Sequence, residues 1–145
     1  MVKKPRKASG RPPRPPVPQP TDSELRILRV LWDRGPSTVR EVNDALAAEK
    51  PVGYTTTLKL LQIMYDKRLV TREDSRRTHV YDAAVAEHDT QRRAATDLLQ
   101  RVFGGSAAML VHHALSVQPA SRDDLRRIRD LVERMEREQG DPSDD

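Results

Sequence analysis

The chain has 145 residues, a net charge of +4, and few aromatic side chains: one Trp, three Tyr and one Phe. This length suits one domain or two small ones, and so few aromatics limit any single core to a small aliphatic one. There is no cysteine, which excludes disulfides, thiolate metal sites and cysteine nucleophiles and fits a reducing cytoplasm. The longest apolar run, residues 107–111, is far below the ~18 residues that span a bilayer. Since no signal peptide is recognisable either, we expect a cytoplasmic protein without membrane insertion.

Positive charge is concentrated in residues 1–20, which hold six basic side chains and no acidic one. Residues 21–82 are nearly balanced, with 11 basic and 10 acidic side chains, whereas residues 83–145 hold 9 basic and 12 acidic ones. Seven prolines among the first 20 residues argue against helix and sheet, so we predict a disordered tail with polyproline character. Two interpretations stay open: an arm that seeks phosphates, and a tail that only keeps the protein soluble.

Residues 21–83 begin with two short helices that carry the same start signal. Thr21 with Glu24, and Thr38 with Glu41, have the spacing of a capping box. A third helix is expected from about Thr55 to Lys67. The side chains expected to face the core are Leu25, Leu28, Leu31 and Trp32 in the first helix, Val39, Val42 and Leu46 in the second, and Leu58, Leu61 and Tyr65, flanked by Leu60 and Met64, in the third.

Two short strands are expected over residues 69–72 and 78–81, joined by a loop over residues 73–77. The order helix, helix, helix, hairpin is typical of a winged helix-turn-helix, whose third helix enters the major groove of DNA. The expected fold class is therefore mainly α with a small β-hairpin wing, followed by a helical domain. Duplex DNA is the leading candidate partner.

The leading end of the third helix is rich in short donors and acceptors, which suit base edges and phosphates. The residues expected to read DNA are Tyr54, Thr55, Thr56, Thr57, Lys59 and Gln62. The residues expected to contact the DNA backbone are Arg40, Arg72, Arg76 and Arg77. The alternatives are that the threonines only cap a helix and that the arginines only solvate a surface.

Residues 84–139 are expected to form a helical dimerisation domain, and residues 140–145 to fray. The first helix of this domain is expected to end at Gly104-Gly105, and a second, over residues 107–117, is apolar nearly all round and must be enclosed. The residues expected to pack between two subunits are Leu98, Leu99, Val102, Phe103, Leu110, Val111, Leu115, Leu125, Ile128 and Val132. The alternative is a closed monomeric bundle. Two reading domains on a two-fold axis would match a palindromic operator.

The sequence pattern does not support catalysis, a metal site or a bound cofactor. His112 and His113 are adjacent and point in different directions on a helix, and neither a Gly-rich phosphate loop nor a nucleophile elbow is present. We therefore predict that the protein is not an enzyme and needs no cofactor or metal. A rival interpretation is a winged-helix protein–protein adaptor without sequence-specific DNA binding, because residues 21–82 are nearly neutral. A regulator with a small-molecule pocket is a third possibility, which nothing in the sequence favours.

From Pro20 to Met135 the chain resembles the penicillinase-repressor (BlaI/MecI/CopY type) family of winged-helix transcriptional regulators. The segments that carry the resemblance are residues 24–32, 38–42, 53–56 with Leu58, 67–70, 79–81 and 103–106. The resemblance implies a homodimeric repressor that occupies a palindromic operator. It also implies that a membrane-bound metalloprotease sensor triggers cleavage in the first dimerisation helix, between Val102 and Phe103.

Three positions depart from the family pattern. Val102 stands where the family has Asn, and Thr57 where Val is usual. Arg68 stands where a Gly is expected after the third helix, so a residue with a side chain must make that turn at a cost of about 1 kcal/mol. The absence of cysteine excludes copper sensing through a Cys-rich site.

Overall fold

A computed structural model describes residues 17–74 and 77–140. The chain divides into two compact units, one ending at Ala94 and the other beginning at Ala95. In chain order the elements are α1 (Asp22–Arg34), β1 (Ser37–Thr38), α2 (Val39–Glu49), α3 (Tyr54–Asp66), β2 (Val70–Glu73), β3 (Val80–Ala83), α4 (Glu87–Arg101), α5 (Ala107–Val117) and α6 (Arg122–Gly140). The expected fold class, a winged helix-turn-helix followed by helices, is confirmed.

Both predicted capping boxes are present and fix where α1 and α2 begin. Thr21 Oγ1 accepts a hydrogen bond from the N–H of Glu24 at 3.2 Å, and Glu24 Oε1 accepts one from the N–H of Thr21 at 2.9 Å. Thr38 and Glu41 exchange the same two bonds at 3.2 and 2.9 Å. Each box pairs backbone donors that a helix start would otherwise leave without a partner.

The wing is an antiparallel sheet in the order β1-β3-β2. Within β3, Tyr81 pairs with Ser37 on one side and with Arg72 on the other. The predicted hairpin is confirmed, although β2 begins at Val70 and β3 at Val80, slightly later than expected. The strand β1 was not predicted, because two residues cannot show the alternation by which a strand is recognised.

The core of the first unit is aliphatic, apart from one fully buried aromatic ring. Its buried apolar residues are Ile27, Leu28, Leu31, Val39, Val42, Leu46, Leu61, Met64, Leu69, Val70 and Tyr81. The expected inner face of α2 is confirmed. In α1, Ile27 takes a core position that the sequence pattern missed, while Leu25 and Trp32 are only partly buried. Trp32 donates its indole N–H to the carbonyl of Val85 at 2.9 Å, which holds the ring at the edge of the core.

Arg68 makes the turn after α3 with a positive φ of 67°, as the Gly of the family pattern implied. The N–H of Leu69 reaches the carbonyl of Met64 at 2.9 Å, and the N–H of Arg68 reaches that of Tyr65 at 3.0 Å. These two bonds form a Schellman motif, in which the residue at this position is usually Gly. The buried side chains of Leu69 and Met64 supply its apolar contact, so the turn is kept although Arg68 strains it.

The helices α4, α5 and α6 have no buried residue. The helix α4 ends at Arg101. Val102 and Phe103 were expected in that helix, but they lie in the turn that follows it. The N–H of Gly105 bonds to the carbonyl of Leu99 at 2.9 Å, and Gly105 has a φ of 87°. The chain therefore leaves the helix earlier than the apolar pattern suggests, because the double glycine closes the turn back onto the last helical residues.

Candidate nucleic-acid interface

The outer face of α3 is the candidate reading surface. From the start of this helix to Gln62, the exposed residues are Tyr54, Thr55, Thr56, Lys59 and Gln62. At about 100° per residue, Thr55, Lys59 and Gln62 follow one line along the helix. Short hydroxyls therefore lie near the start of the helix, and a longer cation and an amide follow them, all free to meet a ligand from solvent.

Thr57 is not on that face, so the prediction that it reads DNA is wrong. Its side chain is fully buried, and its Oγ1 lies 2.7 Å from the side-chain amide of Asn43 in α2. The buried residues of α3 are Thr57, Leu61 and Met64. Leu58 is only partly buried, and Tyr65, expected in the core, is 39% exposed. The helix turns Thr57 inward because a hydroxyl with a hydrogen-bond partner can be buried at little cost.

Asn43 is a position that sequence reasoning missed. With its NH₂ group toward the turn between α2 and α3, it donates to the carbonyls of Val52 at 3.3 Å and Gly53 at 3.2 Å, and to Thr57 Oγ1 at 2.7 Å. Gly53 precedes α3 and has no side chain to cap it. The first N–H groups of α3 therefore have no side-chain acceptor, which is the arrangement that attracts phosphate to a helix start. Asn43 stabilises the turn by donating to its carbonyl groups, so it does not occupy the N–H donors at the start of α3.

Arg40 places a cation beside the start of α3. Its guanidinium carbon lies 5.7 Å from the centre of the Tyr54 ring, within the range of a cation–π contact. Both side chains are exposed. The first turn of α2 thus adds a positive charge at the end of α3 where the helix dipole is also positive.

The Arg72 side chain contacts both α3 and the loop of the wing. Its guanidinium carbon lies 4.2 Å from the centre of the Tyr65 ring, and its Nε donates to Asp74 Oδ1 at 2.8 Å. The same oxygen of Asp74 lies 2.7 Å from Nδ1 of His79. Neither Asp74 nor His79 was predicted, since the pattern gives no sign of which loop side chains meet. Arg72 ties β2 to the carboxyl end of α3, and part of its charge is balanced by Asp74.

Of the two remaining arginines expected in the wing, the structure describes only Arg77. Arg77 is exposed in the loop between β2 and β3, where a guanidinium can meet phosphate oxygens. Arg76 lies outside the described residues.

The residues predicted to pack between subunits lie on α4, α5 and α6, which have no buried residue, and in the turn between α4 and α5. The exposed members of this set are Leu98, Val102, Val111, Leu115, Leu125 and Val132. The partly buried members are Leu99, Phe103, Leu110 and Ile128. The Phe103 ring lies 5.8 Å from the ring of His113, its aromatic neighbour in the same unit. We call these ten residues the C-terminal apolar set.

Within residues 17–74 and 77–140, no three His, Asp or Glu side chains come together in a way that could hold a metal ion. Over the same described stretches, no helix has both the length and the apolar character that crossing a membrane requires.

Comparison with known proteins gives one consistent family. A family model described as penicillinase repressor matches residues 20–134. The transcriptional regulator BlaI of Mycobacterium tuberculosis is 33% identical over 109 residues, which is 73% of this chain and 79% of that protein. The penicillinase repressor of Staphylococcus aureus is 20% identical over 110 residues, 76% of this chain and 87% of that protein. The solution structure of the DNA binding domain of the repressor BlaI aligns with 51% of this chain and 90% of that chain, at 24% identity and a TM-score of 0.46.

Proposed function

The chain belongs to the penicillinase repressor family, and from that premise we propose that it is a sequence-specific DNA-binding repressor acting as a homodimer on a palindromic operator. Members of this family are transcriptional repressors and not enzymes, so the proposal assigns no catalytic residue. The observation that carries it is the outer face of α3. Polar side chains suited to base edges are exposed there, on a helix whose opposite face is buried in the core.

Sequence would be read by the exposed polar residues of α3. The hydroxyls of Thr55 and Thr56 can bond to bases or phosphates, and their methyl groups can touch a thymine methyl. The amide of Gln62 can pair with both edge groups of adenine, and Lys59 can reach guanine. These four residues lie at and after the start of the helix, which is the part that approaches base edges in a helix-turn-helix.

Phosphate contacts would fix the register of the protein on the duplex. The open N–H groups at the start of α3 offer donors to one phosphate, and Arg40 brings a cation to the same end. Arg77 offers a second contact from the wing. Such contacts position the protein without reading sequence, so they support affinity for every duplex.

Association through the C-terminal apolar set supports the homodimer. In α5 and α6, Val111 is 45% exposed, Leu125 41% and Val132 49%, on helices with no buried residue. A second copy of the same surface is the simplest partner that could cover it, because two-fold interfaces are self-complementary. Two reading units on a two-fold axis would then meet two half-sites about one helical turn apart, which makes the operator an inverted repeat.

The proposal also includes release of the repressor from its operator by proteolysis. Val102 is 61% exposed in the turn between α4 and α5, and accessible turns are where chains are most often cut. A cut between Val102 and Phe103 would separate the reading unit from α5 and α6, so bivalent binding to two half-sites would be lost. A protease that acts here must accept Val in place of the family's Asn.

The test begins with selection of duplexes by the full chain from a random pool. We expect an inverted repeat to be enriched. Thr56→Ala should then reduce the difference in binding free energy between the selected duplex and a scrambled duplex by about 1–3 kcal/mol. Arg77→Ala should weaken binding to both duplexes equally and lower the salt slope by about 1. Fluorescence anisotropy over a range of salt concentrations measures both effects.

Two results would count against the proposal. Absence of binding to any duplex at low ionic strength would favour the protein–protein adaptor, which the nearly neutral charge of residues 21–82 also allows. An unchanged sequence preference in Thr56→Ala would remove α3 as the reading element. Sedimentation of the full chain tests the homodimer separately, and a monomer at micromolar concentration would contradict it.

A further inference from the structure

We propose that Ile63 of α3 reads the C5 methyl group of one thymine in each half-site of the operator. This inference rests on the proposed function and adds a residue that determines specificity to the same reading surface. Two observations carry it: Ile63 is an exposed aliphatic side chain without a role in the core, and its position on α3 continues the line of a polar reading residue. Unmodified DNA offers a methyl group at C5 on thymine alone, so the proposal commits to that base.

Ile63 is the aliphatic member of a small set of exposed apolar side chains. Among the described residues of the first unit, the large apolar side chains left exposed are Tyr54, Ile63 and Tyr65, and all three lie on α3. Arg40 lies over the ring of Tyr54, and Arg72 lies over that of Tyr65. Ile63, 37% exposed, is absent from the described core and from the partly buried apolar residues that pack against it. The packing of the described residues therefore does not explain why an isoleucine stands here.

The position of Ile63 around the helix axis places it on the reading surface. At about 100° per residue, Ile63 lies only about 20° around the axis from Thr56, seven residues earlier. Lys59, one turn after Thr56 and one turn before Ile63, is exposed on the same side of the helix. The buried residues Thr57 and Met64 point about 100° or more away from Ile63. Ile63 therefore faces the same groove as Thr56 and Lys59 when α3 reads DNA.

The spacing along the helix suits a second base contact. Seven residues at ~1.5 Å each place Ile63 about 10 Å beyond Thr56 along the axis. Successive base pairs are ~3.4 Å apart, so this distance covers about three base pairs of a groove that the helix follows. A recognition helix of the homeodomain type reads bases with residues spread over a similar length of helix. Thr56 and Ile63 would therefore meet different base pairs of one half-site.

An isoleucine selects a base by apolar contact and not by hydrogen bonding. Each base pair presents a distinct pattern of groups in the major groove, and the C5 methyl of thymine is the apolar one. An amino group or a carbonyl oxygen pressed against Ile63 would lose its hydrogen bonds to water without replacement. A thymine methyl in the same place removes apolar surface of both partners from water. The contact thus favours thymine over the other bases at that position.

The test uses the full chain and the operator selected from a random pool. Each thymine is replaced in turn by deoxyuridine, which lacks only the C5 methyl and keeps every hydrogen-bonding group. Affinities of the wild-type protein, Ile63→Ala and Ile63→Val are measured by fluorescence anisotropy. The matched control is Thr56→Ser, which removes a methyl group from the same side of α3 and keeps the hydroxyl.

We expect one thymine in each half-site at which loss of the methyl weakens binding by the wild type about fourfold, which corresponds to about 0.8 kcal/mol for one buried CH₂-sized group. Replacing this thymine in both half-sites should weaken binding about 15-fold, since two such contacts are lost. Ile63→Ala should bind the thymine operator more weakly and show no further loss with deoxyuridine at that position. Ile63→Val should keep part of the loss at that position, and Thr56→Ser should keep all of it.

The inference is overturned if Ile63→Ala keeps the full dependence on that methyl, or if no deoxyuridine substitution weakens binding by the wild type. It is also overturned if Ile63→Ala weakens binding to the operator and to random duplexes by the same factor, because Ile63 would then support the fold of α3 and not read a base. In these cases the full chain still binds its operator, so the proposed function survives. If the full chain selects no operator, the proposed function fails and the inference fails with it.

Discussion

The two units of the chain differ in how they are stabilised. Among its described residues, the first unit buries eleven apolar side chains around three helices and a three-stranded sheet. In the second, the helices bury none, and apolar side chains as exposed as Val117, at 78%, remain on its surface. An exposed apolar area of this kind marks an association surface in a soluble protein. Under the proposed function, the first unit would be a reading unit that folds by itself, and the second would be stabilised by a second copy of the chain.

This difference separates two properties that a repressor needs. In the proposed repressor, sequence preference would depend on the geometry of α3, which the first unit fixes internally through Asn43, Thr57 and the core. Occupancy of an operator would depend on holding two such units together, which is the proposed role of the second unit. A signal that acts on the second unit could then empty the operator without disturbing the reading geometry.

The largest expected effect comes from breaking the association surface. Val132→Asp places a charge on α6 within the C-terminal apolar set, where it would have to be buried on dimerisation. We expect a monomer and a loss of operator affinity of about 10²–10⁴-fold, with the fold of the first unit unchanged. Sedimentation and anisotropy measure the two effects. The control Gln139→Asp adds the same charge at an exposed position of α6 outside that set. Equal effects from both variants would show that charge alone, and not the surface, is responsible.

A second prediction uses two adjacent threonines to separate core from reading surface. Thr57→Ala removes a buried hydroxyl that lies 2.7 Å from the Asn43 amide, so we expect a loss of about 1–3 kcal/mol of stability. Thr56→Ala, at an exposed position, should change stability by no more than about 0.5 kcal/mol while it relaxes sequence preference. Chemical denaturation monitored through Trp32 gives the stabilities. If Thr56→Ala were the more destabilising variant, the assignment of the two faces of α3 would be wrong.

The same pair of threonines shows where sequence reasoning stops. Both capping boxes and the order helix, helix, helix, hairpin follow from local spacing, and these were predicted correctly. The turn at Arg68 was expected from the family resemblance. The sequence analysis assigned the wrong inner face to α3. Leu58 and Tyr65 are more apolar than Thr57, so the apolar pattern favoured a core-facing side that includes them and excludes Thr57. What places Thr57 in the core is Asn43, 14 residues earlier on another helix. Contacts of this kind, like the pairing of β1 with β3, depend on tertiary structure and leave no local pattern.

A third prediction concerns pH and applies to the first unit alone. Glu24 is buried, and burial raises the pKa of its carboxyl, but hydrogen bonds from Lys67 and Thr21 and the charge of Lys67 outweigh this and lower the pKa below its ordinary value of 4.5. Lys67 Nζ lies 2.7 Å from Glu24 Oε2. A carboxyl whose pKa is lower in the folded state stabilises the fold above its unfolded pKa. That contribution is lost as pH falls through the folded value.

We therefore expect Glu24→Gln to reduce thermal stability at pH 7 and to flatten the loss of stability below about pH 4.5. Glu41→Gln is the matched control, since Glu41 has the same capping position in α2 but is exposed. Thermal melts between pH 7 and pH 3, at two protein concentrations, measure the effect. Because the ion pair lies inside the first unit, the difference between variant and wild type should not depend on concentration. A concentration-dependent difference would mean that Glu24 acts through association.

The smallest expected effect lies at the turn after α3. Arg68→Gly should stabilise the first unit by up to about 1 kcal/mol, because Gly adopts a positive φ without steric cost. The gain is an upper bound, since Arg68 also takes part in other contacts. Gly35→Ala is the converse control: Gly35 has a φ of 87° with a ψ of −165°, a conformation that essentially only Gly adopts, and open space around an added Cβ. Its expected loss of about 1–3 kcal/mol therefore reflects backbone strain alone. Chemical denaturation measures both. If Arg68→Gly destabilised the unit while Gly35→Ala behaved as expected, the contacts of the Arg68 side chain would outweigh the strain, and the turn would be held by that side chain as well as by the Schellman bonds.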